Sequence, residues 1–222
     1  MKATRGFTLI ELLVTIGILA VLISVTAVSY KSMVASADKT RCQELVHNTA
    51  LALQAYYLKE GGWPRVLLQG SGESSKMLDA DHALVLAPYA TGNNNPRGYM
   101  SLSIETESRD GETFAKKLKG YDRFGIVSPW ATSIIKSKGN EATLSTRVST
   151  GGTIKEHIFR YEVDADGDGI IEGVNVGGES IDVRANVIVW CAGKDGVMQP
   201  YSKGLRSDDC YSWGVGQTQK VK

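Results

Sequence analysis

Two hydrophobic patterns divide this chain. From Leu12 to Tyr30 there is no charged residue, and apolar side chains fill every face that a helix would present. A run of this length can cross a bilayer core of roughly 30 Å as a helix rising about 1.5 Å per residue. Beyond Tyr30, Met33, Val34, Ala37, Leu45, Val46, Thr49, Leu53, Tyr56 and Tyr57 recur at three- and four-residue intervals. Lys31, Asp38, Lys39, Arg41, Glu44 and Lys59 fall between them. This spacing predicts that the helix continues with one apolar stripe and one charged face. Gly61-Gly62 followed by Trp63-Pro64 is a stop signal. A helix from Phe7 to Lys59 would be about 80 Å long.

The C-terminal third follows a two-residue period instead. Ile158-Phe159-Arg160-Tyr161-Glu162-Val163 alternates, which places Phe159, Tyr161 and Val163 on one face of a strand. Ile181 to Val183 and Val187 to Trp190 predict further strands, so the expected body is a small antiparallel sheet laid across the helix stripe. The middle is less patterned. Gly70-Ser71-Gly72 and Gly92-Asn93-Asn94-Asn95-Pro96 predict loops, and Ser74 to Ala87 predicts a short helix with His82 on its surface.

Composition narrows the class of function. Twenty-four glycines against five prolines suit a turn-rich, largely β body. Net charge is +1, with Lys and Arg scattered among acids, so no basic stripe offers a nucleic-acid surface. Lys2 and Arg5 precede the apolar run, which by the positive-inside rule leaves the extreme N-terminus cytoplasmic and sends the body to the periplasm or the exterior. Cysteines number three, an odd count that forbids full pairing but allows one bridge in an exported body.

Glu11 stands out in this apolar setting. A carboxylate within hydrocarbon costs about 2.5–3.5 kcal/mol on insertion scales, so it calls for a partner. A secretory signal peptide cut after Ala35-Ser36-Ala37 would need an overlong apolar region containing Glu11. A plain signal anchor explains the span but not the acid. The stretch Arg5-Gly6-Phe7-Thr8-Leu9-Ile10-Glu11-Leu12-Leu13-Val14 resembles the class III leader of type IV pilins and type II secretion pseudopilins.

That resemblance implies an α+β, pilin-like fold, with a leader at 1–6, a transmembrane and filament-core helix at 7–30, its amphipathic continuation at 31–62, and a periplasmic head at 63–222. It implies cleavage between Gly6 and Phe7 by a prepilin peptidase, N-methylation of Phe7, and Glu11 of one subunit meeting the Phe7 amine of its neighbour. The implied partners are further copies in a helical filament, minor pseudopilins and an inner-membrane assembly platform. Gly17, within the span, is compatible with close helix packing or with simple tolerance. Ala55 to Pro64 is similar to the helix exit of major pseudopilins. Tyr121-Asp122-Arg123-Phe124-Gly125 is similar to the turn before their sheet, with Phe124 in place of tryptophan. The segment between, 65–120, is longer than the family needs and is expected to be an insertion.

Two acidic segments are candidate calcium sites. Asp164-Ala165-Asp166-Gly167-Asp168-Gly169-Ile170-Ile171 matches the first half of an EF-hand-type loop, with acids at positions one, three and five and glycine at six. Position twelve is Asn175 rather than glutamate, and strands flank the loop, so a bare hairpin turn remains open beside calcium. Trp190-Cys191-Ala192-Gly193-Lys194-Asp195-Gly196 and Ser207-Asp208-Asp209-Cys210-Tyr211-Ser212-Trp213 resemble the ending of major pseudopilins. The resemblance implies calcium held by Asp195, Asp208 and Asp209. Cys191 and Cys210 depart from that pattern; a bridge between them would close a short loop worth roughly 3 kcal/mol, replacing or reinforcing the ion. Cys42 is then expected to be a free, packed thiol.

Nothing in the sequence marks an enzyme: His47, His82 and His157 share no recognisable spacing, and no nucleophile elbow, metalloprotease motif or phosphate loop occurs. The expected function is structural, a subunit of a type II secretion pseudopilus helping to export folded proteins. A type IV pilin or minor pseudopilin is the alternative within the class. A membrane-anchored calcium-binding module that never polymerises is the rival from another class, one that has no use for Glu11.

Overall fold

A computed structural model describes residues 8–68, 76–78, 104–109, 112–118, 121–122, 125–131, 143–148, 151–204 and 208–220. Helix α1 runs from Leu9 to Glu60. It ends where the stop signal places it, with Gly61 at a positive φ of 74° that an L side chain disfavours. The chain divides into two compact units, Met1–Asp38 and Lys39–Lys222.

In the first unit the described side chains of α1 are exposed almost throughout; Leu9, Ile10, Leu12, Leu13, Ile16, Ile18, Leu19, Leu22 and Ile23 are all large, apolar and uncovered. So much contiguous apolar surface is stable only against lipid or another helix. Among the described residues no helix is long and apolar enough to cross a membrane. The sequence itself stays uncharged through Tyr30.

The second unit begins with the amphipathic part of α1. Cys42, Val46, Thr49, Ala50 and Leu53 are buried, at spacings of three, four and one, and trace the stripe that the sequence predicts. The Thr49 hydroxyl donates to the Leu45 carbonyl at 2.7 Å, which satisfies the one hydroxyl in the stripe. After α1 come a short helix α2 (Arg65–Leu68), strand β1 (Lys76–Met77), and a four-stranded sheet of β2 (Ile104–Arg109), β3 (Glu112–Leu118), β4 (Tyr121–Asp122) and β5 (Gly125–Ile126). Strands β6 (Arg160–Val163), β7 (Ile171–Val176), β8 (Glu179–Val183) and β9 (Val187–Cys191) follow, then helix α3 (Tyr201–Gly204), β10 (Cys210–Tyr211) and β11 (Thr218–Lys220).

The head sheet has the order β1-β6-β9-β10, antiparallel throughout, with Tyr161 opposite Val189 and Val163 opposite Val187. A second sheet, β11-β8-β7, is also antiparallel. Strand β9 explains how they stack. Its Val187, Val189 and Cys191 belong to a core with Cys42, Val46, Leu53, Phe159, Tyr161 and Val163, whereas Ile188 and Trp190 belong to a core with Val174, Ile181, Tyr201 and Trp213. Successive strand side chains point to opposite faces, so β9 carries the helix on one side and the second sheet on the other. The expected arrangement of one sheet on one helix is therefore incomplete: a second sheet covers the outer face.

One local expectation differs from the structure. Lys76 and Met77 lie in a strand against Tyr161 and Arg160, not in a helix over 74–87, because pairing with the exposed edge of β6 outweighs weak helical propensity; His82 lies outside the described residues. The expected 65–120 insertion contains the β2–β3 hairpin, which continues through β4 into β5. On either side of the turn expected over Tyr121 to Gly125, β4 and β5 pair with Asp122 opposite Gly125. The two expected loops at 70–72 and 92–96 lie outside the described residues.

Candidate functional site

At the start of α1, Glu11 has a local partner. The Thr8 backbone N–H donates to Glu11 Oε2 at 2.9 Å, and the Thr8 hydroxyl donates to the same oxygen at 2.7 Å. In return the Glu11 N–H donates to Thr8 Oγ1 at 3.3 Å. This is a capping box, in which the residue before the helix and the acid three positions later satisfy each other's orphan donors. Sequence reasoning missed Thr8, although Thr-x-x-Glu ahead of an apolar run is the signature of such a box. Both side-chain bonds use Oε2, so the exposed carboxylate retains capacity for a second donor. Gly6 and Phe7 lie outside the described residues.

The acidic loop after β6 begins at a buried Asp164, whose two carboxylate oxygens accept the N–H groups of Gly167 at 2.7 Å and Gly169 at 2.8 Å. Burial works to raise the Asp164 carboxyl, but these N–H donors outweigh it and hold the group below its ordinary value. Gly167 and Gly169 stand at φ of 81° and 83°, which turns the backbone back onto Asp164. Asp168 Oδ1 accepts the Ile170 N–H at 2.7 Å. One ligand atom from each of Asp164, Asp166 and Asp168 lies within 4.8 Å of the others, which suits oxygens around a calcium ion at about 2.3–2.6 Å. The loop is not a hairpin tip, because β6 and β7 lie in different sheets.

The three carboxylates of the C-terminal segments are used differently. Asp209 is buried; its Oδ1 accepts the Gly193 N–H at 2.8 Å and its Oδ2 accepts the Gln199 N–H at 3.0 Å and the Tyr211 hydroxyl at 3.4 Å. Asp208 Oδ2 accepts the Lys194 N–H at 2.6 Å, and Asp195 Oδ1 accepts the Val197 N–H at 2.9 Å. Asp208 and Asp209 hold adjacent N–H groups of one loop, and Asp195 caps the turn just after it. Among the described residues, Asp164, Asp166 and Asp168 are the group of three acids whose ligand atoms all lie within 4.8 Å of one another; Asp195, Asp208 and Asp209 do not form such a group. The glycines of this ending serve close approach: a Cβ at Gly196 would lie 2.7 Å from the Gly152 Cα.

Cys42 is the free, packed thiol expected. Cys42, Cys191 and Cys210 are all buried and none is in a disulfide. Cys191 and Cys210 face each other across β9 and β10. The Ser212 N–H donates to the Val189 carbonyl and the Val189 N–H to Ser212 Oγ, each at 2.9 Å, which marks a hydrogen-bonded pair two residues along the ladder. Alternation makes Cys210–Cys191 another such pair. Directly opposed Cβ atoms there lie toward about 5.5 Å apart, whereas a disulfide needs roughly 3.5–4.5 Å. Cys42 joins the same buried core from the helix. Contact with Cys191 and burial push the Cys42 thiol up, and contact with Cys42 and burial push up Cys210.

His157 is fully buried. Its Nε2 lies 3.2 Å from the Gly151 carbonyl, which can only accept, so the proton sits there; Nδ1 then accepts from the Ser128 hydroxyl at 3.0 Å. Burial is the leading cause that lowers its pKa, against Gly151, Glu156, Asp195 and Asp208. His47, by contrast, is exposed.

The prokaryotic N-terminal methylation motif matches residues 1–27. A type IV major pilin protein, PilE, of Neisseria gonorrhoeae is 36% identical over 116 residues, covering 48% of this chain and 70% of the relative. This chain belongs to the type IV pilin and pseudopilin family. The fimbrial protein of Neisseria meningitidis serogroup A is 29% identical over 116 residues, 48% of this chain and 68% of its own length. PilE1, another type IV major pilin protein of Neisseria gonorrhoeae, is 26% identical over 153 residues, 68% of each chain. No solved structure matches. The chain is thus a type IV pilin-like structural subunit, with the family's α+β arrangement of N-terminal helix and C-terminal antiparallel sheet.

Proposed function

We propose that this protein polymerises through its N-terminal helix into a filament anchored, before assembly, in a bacterial inner membrane. The observation that carries the reading is the pairing of a methylation motif over residues 1–27 with a helix start at Thr8 and Glu11. Prepilin peptidase cuts after Gly6, the new Phe7 amine is methylated, and the freed helix packs its uncovered apolar faces against other copies. In a helical bundle of low dielectric, a second charged donor on Glu11 fixes register better than it adds stability. The function needs no catalytic residue and no nucleic acid.

The relatives carry pilin names, which favours a surface pilus over a secretion pseudopilus. The pseudopilus reading rests on the resemblance of residues 190–213 to major pseudopilins, and the use of Asp195, Asp208 and Asp209 to cap loop backbone weakens it. In that reading minor pseudopilins and an assembly platform are the partners and folded exoproteins the cargo. Calcium, in either, is assigned to Asp164, Asp166 and Asp168, the set whose ligand atoms converge.

Intact mass of protein recovered from its own membrane tests the proposal. Loss of Met1 to Gly6 with one added methyl is the expected result. A chain left whole, or cut after Ala37, overturns it and leaves an anchored binding module as the account.

A further inference from the structure

Cys42 comes from the helix, Cys191 from β9 and Cys210 from β10, and their burial in one core leaves them no partner chemistry but each other and nearby carbonyls. Cys42 packs in the same buried core as both others. Cys191 Sγ already donates to the Ala192 carbonyl at 3.3 Å and lies 3.7 Å from the His157 carbonyl. Cys210 Sγ lies 3.7 Å from the Asp208 carbonyl and also reaches the helix, 4.0 Å from the Lys39 carbonyl on the turn that leads into Cys42. A directly opposed, hydrogen-bonded cross-strand pair sits wider at Cβ than a disulfide favours.

We propose that Cys42, Cys191 and Cys210 form one redox site, in which oxidation joins Cys42 on the helix to Cys210 on β10 and leaves Cys191 as a thiol. The oxidant is a disulfide, small or protein-borne. One cysteine thiolate attacks a sulfur of that disulfide and expels one thiol; the second cysteine thiolate attacks the mixed disulfide and expels the other. Two protein S–H bonds and one S–S bond are exchanged for one protein S–S bond and two S–H bonds. The thiols are sealed in the finished head, so the exchange takes place while the head folds. Its setting in the cell rests on the exported location proposed above; its chemistry does not. The bond fastens the spine to the last strand of the head sheet and closes the chain from residue 42 to residue 210, a far longer loop than the 191–210 alternative.

Tryptic cleavage puts each cysteine in a separate peptide: 42–59, 185–194 and 207–220. Full-length chain, unfolded and returned to detergent in a reduced and oxidised glutathione buffer, is blocked with N-ethylmaleimide and digested. Peptide 42–59 joined to 207–220, with 185–194 blocked, is expected. Cys191→Ala retains that link, and Cys42→Ala abolishes it without producing a 185–194 to 207–220 link. A principal link that includes 185–194, or no link at all, overturns the proposal. Because the intact mass of membrane-derived protein reads processing separately, failure here leaves the filament reading standing.

Discussion

The indole N–H of Trp63 donates to the backbone carbonyl of Asp164 at 2.8 Å. The bond ties the residue just past the helix exit to the first residue of the acidic loop, while the Trp63 ring rests 4.7 Å from that of Tyr57. Trp63→Phe keeps the ring and removes the donor, which leaves a partly buried carbonyl short of a partner. The expected loss is about 1 kcal/mol, seen as a lower urea midpoint at unchanged slope.

The capping box separates two roles of Glu11. Gln serves at the same capping position, so Glu11→Gln preserves the helix start and removes only the charge. Thr8→Ala weakens the cap, by about 1 kcal/mol, and keeps the charge. Electron microscopy of sheared filaments is expected to show them for Thr8→Ala and not for Glu11→Gln, with both proteins in the membrane fraction. Filaments from Glu11→Gln would reduce the acid to a helix cap.

His157 makes the head sensitive to mild acid. Its folded pKa lies below the unfolded value of about 6.5, so under that pH the unfolded chain binds a proton that the folded chain refuses. Stability therefore falls as pH drops from about 6.5 toward the folded value, then levels. Glu162, raised first by burial against the pull of Lys76, works in the opposite sense. Denaturation midpoints between about pH 8 and about pH 5 should show the difference: His157→Gln loses stability overall but flattens the slope.

Calcium is expected to raise the thermal midpoint relative to a chelator, and Asp166→Asn or Asp168→Asn to abolish the rise. Asp164 is left intact in this test because it also holds the turn. Asp195→Asn should leave the calcium effect unchanged. An unshifted midpoint in the parent chain would make the loop a turn and nothing more.

Neighbouring helix leucines should differ sharply. Leu53 is fully buried and Leu51 is 49% exposed. Leu53→Ala is expected to cost about 2–5 kcal/mol, and Leu51→Ala within about 0.5 kcal/mol of zero, by chemical denaturation.

Much of this was legible from local pattern. The stripe through Val46 and Leu53, the stop at Gly61, and the shared face of Phe159, Tyr161 and Val163 all follow from periodicity, because burial on one side of an element must recur at its repeat. Thr8 was equally legible and went unread. Other features had no local signal. Lys76 and Met77 are a strand because β6 offers an edge, and His157 is buried because Ser128 and Gly151 close around it.

By itself the sequence determined the long helix, the place where it leaves the apolar regime, the strand positions near the end, and the leader and Glu11 that mark the family. These depend on neighbours three or four residues away, or two along a strand. Tertiary structure alone decided that β9 is buried on both faces, that Asp164, Asp166 and Asp168 converge while Asp195, Asp208 and Asp209 cap loop backbone, and that Cys42 shares a core with two cysteines far along the chain. Side chains so distant in sequence are brought together only by sheet register and by the packing of helix on sheet, and a linear pattern encodes neither.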